Sequence, residues 1–544
     1  MPVELDPPPG TVLLLELHRD VTNEEEIILL PTPSDDVNDP LRWSKWRKSF
    51  HYGLVTAVSI AEFTLLSIQT TFWTQMLAEM DVDYADLTNA QAVQLVGLAV
   101  GCIFVIPFTR KYGRRSTYIF STALLAASCW WAAYMKSRVE LYITSLLFGL
   151  AGAPNETVVQ MSITDLFFLH QRASANAVYF VAVMMGSFLT PMIAGYQASI
   201  TGWRDSYFAL AIILTLLTVA FVPLFEETKY VPLTNDSDTG GRVQIPAESQ
   251  YTPNSARPNT NEKDIKIALN ADPELLAARV SSHAVGMALP RPNSWRQRLR
   301  FVTPTGEPLL KTAYYPLYTV CLPHVVFSAV QFAQAVCWLV VVSSMISIIF
   351  AAPPYSFDSA GLGYMFAGPF IGSIFGSIYG GPLLDRAAVY FARRNGGVYE
   401  PEMRLYLFPF QALVMAGGLI MFGITADKGW HWIYPSIGAG FFGFGMGASG
   451  DICFTMILDT YPELVSEAFV LITFIRNSIS IPGPFCITPW LAAMSVSNMF
   501  ITAGLISLGV SLFCIPFLVW GKKWRVGLAP FYRGLCDGVT GVRR

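Results

Sequence analysis

Charged side chains are what this sequence has least of. Only 14% of its 544 residues are Asp, Glu, Lys or Arg, while 53% are hydrophobic. Soluble domains usually carry about 25% charged residues, so the composition argues against an ordinary water-soluble fold. The net charge of −3 offers no basic surface for nucleic acid. Eight cysteines are scattered without metal-ligand or disulfide spacing, and they read as small packing residues rather than a metal site. Neither "GxxxxGKS" nor "GxxxxGKT" occurs, so no nucleotide-driven step is indicated. Motifs that pair a nucleophile with a base are missing too, which argues against an enzyme, and no cofactor is expected. Nor is a cleavable leader, because the first apolar block begins near residue 50 and is too long for a signal core.

What the chain does have is long apolar runs. A helix needs about 20 such residues to cross a bilayer. Blocks of that length recur at roughly 50–73, 91–109, 116–135, 140–163, 174–197, 206–225, 318–350, 360–380, 405–425, 432–457, 465–490 and 497–521. Stretches such as "YFALAIILTLLTVAFVPLF" are apolar on every face, unlike the alternating strands of a barrel. The expectation is an all-α, multi-pass protein with twelve transmembrane helices in the lipid bilayer. Basic residues in "RWSKWRK", "TRKYGRR", "DRAAVYFARRNGG" and "GKKWR" contrast with the acidic loop "MLAEMDVDYADLTNAQ". By the positive-inside rule both termini and the central insert are cytoplasmic, and the cell membrane is the expected location.

This divides the chain into a cytoplasmic N-terminal tail (1–48), a first six-helix lobe (49–226), a central loop (227–312), a second lobe (313–525) and a C-terminal tail (526–544). The loop contains "TNDSDTGGRVQIPAESQYTPNSARPNTNEK" and is expected to be largely disordered, with short helical pieces around "DPELLAARV". The two lobes repeat each other. Each has a basic loop after its second span and two acids in its fourth: Glu156 and Asp165, then Asp451 and Asp459. Parallel repeats of this kind place a site between lobes near the bilayer midplane.

Those features, with "YGRR" at 112–115 and "GGPLLDR" at 380–386, resemble the major facilitator superfamily. Four longer stretches, "PSDDVNDPLRWSKWRK", "PNETVVQMSITDLFFLHQR", "RRNGGVYEPEMRL" and "FIRNSISIPGPF", are similar to a fungal branch of its twelve-span drug:proton antiporters. The resemblance spans about residues 33–525 apart from the central loop, and it implies the major-facilitator fold. It also implies gating residues: Arg110, Lys111, Gly113, Arg114 and Arg115 in the first basic loop, and Gly381, Asp385 and Arg386 in the second. Asp165 is implied to pair with Arg114, and Asp459 with Arg386 or its neighbours. The first loop departs from the family form Gly-x-x-x-Asp-Arg-x-Gly-Arg-Arg, since Ile106 replaces the Gly and Arg110 the Asp. An arginine there would meet the positive end of a helix dipole, so the latch must differ or weaken. Span five keeps Gly186, Pro191 and Gly195 of the antiporter signature but has Thr190 where Gly is expected.

A charge at the bilayer centre costs about 2.5–3.5 kcal/mol on insertion scales, so Glu156 in mid-span needs a reason. It is either a neutral acid hydrogen-bonded between helices or a site for protons or a cationic substrate. Gly152 and Pro154 loosen the helix there, and Asn155 offers an amide. Glu62, half-way along span one, is the second candidate and Asp451 the third. Gln69, Gln331 and Gln334, with Trp73 and Trp338, suit a cavity for amphipathic molecules. Arg476, beside Asn477 in span eleven, would neutralise a carboxylate in a closed state or snorkel to the interface. His324 is a proton shuttle or an interfacial packing residue. These residues predict a proton-coupled secondary transporter, monomeric, that exports a small amphipathic or cationic organic substrate. Import of a polyamine, sugar or organic acid in the same fold stays open, as does a non-transporting sensor.

Overall fold

The computed structural model describes residues 8–13, 36, 38–229, 294–303 and 309–543. Helix dominates, because a backbone in lipid must satisfy its own hydrogen bonds. The long helical segments are α1 (Lys45–Glu79), α2 (Tyr84–Tyr112), α3 (Arg114–Tyr134), α4 (Arg138–Leu166), α5 (Ala175–Thr201), α6 (Trp203–Leu224), α7 (Pro323–Ile349), α8 (Ser359–Arg394), α9 (Pro401–Asp427), α10 (Ile433–Thr460), α11 (Val465–Ala493) and α12 (Val496–Gly538). Ten are both long and apolar enough to cross a membrane. The other two, α3 and α4, are 21 and 29 residues long. They have the length for a bilayer but carry more polar side chains.

Local signals set the ends. Capping boxes at Asp83 with Asp86 and at Ser137 with Glu140 open α2 and α4. Gly113, at φ +111°, separates α2 from α3 in a backbone conformation other residues avoid. Within each lobe the second and fourth helices then meet backbone to backbone. A Cβ on Gly97 would run into the Leu146 carbonyl, and one on Gly372 into the Gly440 carbonyl. The repeat seen in the acids is therefore also a repeat of packing, α2 on α4 and α8 on α10. Between lobes, α2 packs on α11 and α5 on α8.

The central loop is described only at its ends, and both ends lie on the first lobe. The Glu227 amide donates to the Arg298 carbonyl (3.4 Å) and the Thr303 amide to the Tyr112 carbonyl (2.8 Å). The helical pieces expected around "DPELLAARV" fall outside the described residues. At the other end of the chain, helix Cys514–Arg543 runs straight through the expected boundary between lobe and tail. The β pairing among the described residues joins β1 (Val12–Leu13) to β2 (Val398–Tyr399), antiparallel.

Candidate functional site

Between the lobes lies a cavity of about 100 Å³, counted as the space open to the centre of a water-sized sphere. A water needs about 10–15 Å³ on that scale, so there is room for several waters and not for a drug-sized molecule. Both ends of the cavity are shut. On the basic-loop side, Arg110 Nη2 of α2 meets Glu467 Oε1 of α11 at 2.7 Å, and the Phe180 and Phe454 rings approach to 4.9 Å. On the opposite side, the Ser344 hydroxyl donates to Gln91 Oε1 and the Ser347 hydroxyl to the Thr70 carbonyl, both at 2.6 Å.

Glu156 of α4 and Arg476 of α11 form an ion pair across this cavity. Asn477 completes it. Its Nδ2 donates to Glu156 Oε2 (3.1 Å), while its Oδ1 accepts from Arg476 Nε (3.1 Å) and Nη2 (2.9 Å). The Arg476 guanidinium also lies 5.0 Å from the centre of the Phe332 ring. Both charges are buried, which a pair tolerates when its remaining hydrogen-bonding capacity is filled. Arg476 thus sits on a carboxylate and does not snorkel.

Glu62 of α1 stands close enough to feel both charges, with Asn155 as a polar neighbour. It is wholly buried, and neither carboxyl oxygen accepts a hydrogen bond. Gly152 makes room for it: a Cβ there would come 2.7 Å from Glu62 Oε1. One acid is therefore paired across the lobes, and its neighbour has no cation of its own, with Asn155 as its polar neighbour.

Other residues expected at the cavity go elsewhere. Asn155 donates to the Ser121 hydroxyl of α3 (3.3 Å). Successive helical residues point about 100° apart, so the neighbour of Glu156 turns to a different helix. Gln331 and Gln334 bind each other and tie α7 to α12 through the Val510 carbonyl (2.7 Å) and the Ser511 hydroxyl (2.8 Å). Gln69, Trp73 and Trp338 are buried, but none lines the cavity. Asp451 packs against Gly380 of α8, inside the second lobe.

The basic loops are charge clusters. Arg114 Nε binds Asp165 Oδ2 at 3.1 Å, the pairing the resemblance implies. Arg115 is held instead by the carbonyls of Val222, Phe225 and Leu299. Glu227, not singled out in the sequence, caps α3 by accepting from the amides of Arg114 (2.9 Å) and Arg115 (3.3 Å). Burial raises its carboxyl above the ordinary value, against the lowering pull of those amides. The Lys111 ammonium lies 5.8 Å from the Tyr112 ring.

In the second loop, Asp459 pairs with Arg404 (2.6 Å) and not with Arg386, which is exposed. Arg404 also reaches Asp385 (2.8 Å), and the Tyr399 hydroxyl donates to Asp459 (2.6 Å). Gly381 faces open space. His324 is fully buried and contacts Glu402 (3.3 Å), away from the cavity. The expected conflict between Arg110 and a helix dipole does not arise. Glu467 stands in the first turn of α11, where a helix favours an acid, and takes the arginine. Its signal was available: an acid opening span eleven, opposite a loop with an arginine where the family has an aspartate.

Two lobes of long apolar helices, closed over an inter-lobe ion pair and flanked by two basic loops, are the architecture of a secondary transporter. The profile of the Major Facilitator Superfamily matches residues 54–484, and the chain belongs to that family of membrane transporters. It is 28% identical over 550 residues to Protein HOL1 of Saccharomyces cerevisiae, covering 94% of this chain and 93% of that protein. Its identity to the probable efflux pump mfs2 of Aspergillus flavus is 22%, over 75% of this chain and 86% of that one. The partially occluded inward-open structure of the xylose transporter XylE from E. coli superposes with a TM-score of 0.57 at 12% identity. That match covers 87% of this chain and 98% of the xylose transporter, and it shows the shared fold.

Proposed function

We propose that this protein is a proton-coupled exporter of amphipathic or cationic organic compounds that works by alternating access. The observation that carries the reading is Glu62, a wholly buried carboxyl with no hydrogen bond to either oxygen, beside an ion pair that joins the lobes. A buried carboxylate without a cation of its own is far costlier than the neutral acid, so Glu62 carries a proton while the lobes are closed. When they part, Arg476 leaves Glu156, both acids meet water, and the proton can be released. Glu156 then becomes free to hold a cation, against the rings of Phe180, Phe332 and Phe454. The basic loops orient the chain with both termini in the cytoplasm. Similarity to a probable efflux pump supports export.

Proteoliposomes with an imposed pH gradient test this, using ethidium as a flat organic cation. Glu62→Gln should abolish gradient-driven accumulation and leave downhill exchange intact. Wild-type accumulation by the variant would remove Glu62 from the coupling. For direction, cells expressing the protein should hold less probe than cells lacking it, and the level should rise when a protonophore collapses the gradient. Higher probe that falls on collapse means import.

A further inference from the structure

Residues 294–303, at the second described end of the central loop, read "SWRQRLRFVT", with three arginines and no acid. A single helical turn, Trp295–Arg298, opens the segment. Arg115, buried at the start of α3, sets its depth. One nitrogen of that guanidinium donates to the Leu299 carbonyl (2.6 Å) and another to the Val222 carbonyl (2.5 Å). Val222 is half-exposed in the last turn of α6, a helix apolar enough to cross a bilayer. The segment therefore lies level with the end of a span. It does not stand out in the solvent beyond it. From there it reaches the end of α2, where the Thr303 amide meets the Tyr112 carbonyl, one turn from the exposed Phe108.

At that level the segment leaves much of its apolar surface uncovered. Trp295, Phe301 and Val302 are 59%, 55% and 40% exposed, and Arg296 and Arg300 are exposed among them. Glu227, the acid whose backbone meets Arg298, turns its carboxylate to the amides of α3 instead. Exposed rings interleaved with arginines suit the boundary between headgroups and acyl chains. There the rings enter the apolar edge and a guanidinium meets phosphate.

We propose that residues 294–303 form a binding site for an anionic phospholipid of the leaflet at the basic-loop end. Arg296 and Arg300 hold its headgroup, while Trp295 and Phe301 lie at its acyl boundary. The sign of the charge selects an anionic lipid, and the depth selects a lipid over a soluble partner. A protein from solution would have to enter the headgroup layer to cover these rings. The site stands whichever way the protein transports.

The test uses the full chain in phosphatidylcholine vesicles. These carry either phosphatidylserine with a nitroxide on a shallow acyl carbon or phosphatidylcholine with the same label. A bimane is attached at Val302→Cys in a background without the exposed Cys321 and Cys486. At equal content the serine lipid should quench at least threefold more strongly than the choline lipid, and high salt should narrow the difference. Arg296→Gln with Arg300→Gln should bring the two lipids level. Both side chains are exposed, so that variant should fold as the parent does. Equal quenching by the two lipids in the parent, or a preference kept by the double variant, overturns the headgroup site. Absence of quenching by either lipid puts the segment off the membrane and overturns the site altogether. Loss of the preference on adding soluble glycerophosphoserine also overturns it, since the arginines would then serve free phosphate esters.

Discussion

On the proposed reading, Glu156 and Glu62 divide two tasks that one intramembrane acid would have to combine, and each leads to its own substitution. Arg476→Met leaves Glu156 buried without its cation, and breaking a buried pair in this way costs about 3–5 kcal/mol. The closed arrangement bears that cost and an open, hydrated one does not. We therefore expect faster maleimide labelling of a cavity cysteine in Arg476→Met, and a return toward wild-type labelling in the uncharged pair Glu156→Gln with Arg476→Met. Labelling as slow as wild type in the single variant would show that the pair does not hold the lobes. Gly152→Val makes a separate prediction. Its Cβ would crowd Glu62 Oε1 at 2.7 Å, so gradient-driven transport should fall at least tenfold, with Gly152→Ala in between. The sequence pointed to Glu156 and Glu62 because a carboxyl in an apolar run stands out. It could not show that Asn155, Gln331 and Gln334 turn away from the cavity, since each amide takes whichever neighbour its helix face meets.

Among the helices, α2 and α11 carry the inter-lobe ion pair at the basic-loop end, which the proposed reading makes a gate contact. Arg110→Glu should impair turnover by opposing Glu467, and Arg110→Glu with Glu467→Arg should recover part of the rate. Recovery stays incomplete because the new arginine would sit in the first turn of α11, at the positive end of its dipole. Additive loss in the double variant would remove the pairing from the gate. The Arg114 and Asp165 exchange should recover less, because Arg114 also donates to the Thr109 carbonyl (3.3 Å). The helices themselves were readable from apolar length, and their breaks from Gly113 and the capping boxes. Arg404 was not readable as the partner of Asp459. The 3-10 turn Pro401–Leu407 carries it there, and no spacing in the sequence encodes that turn's direction.

At the scale of the whole molecule, the lobes and their repeat were visible in the order of spans, basic loops and acids. The pairing of β1 with β2 was not, because a two-residue ladder has no period to reveal it. The central loop yields a further prediction. Its two described ends are hydrogen-bonded to each other and to the first lobe, so replacing residues 234–290 with a short Gly-Ser linker should leave ethidium transport within about twofold of wild type. That margin is well under the factor of ten that 1.4 kcal/mol represents. A collapse of transport in well-folded protein would give the loop a role of its own. One feature also shapes what genetics can say. Among the described residues, both ion pairs that cross between lobes end on α11, at Glu467 and Arg476. Selections for altered tolerance to a transported compound will therefore return lesions in that helix, whether the defect lies in recognition or in motion. Second-site revertants locate the broken contact: those in α2 at Arg110 point to the pair with Glu467, and those in α4 at Glu156 to the pair with Arg476 across the cavity.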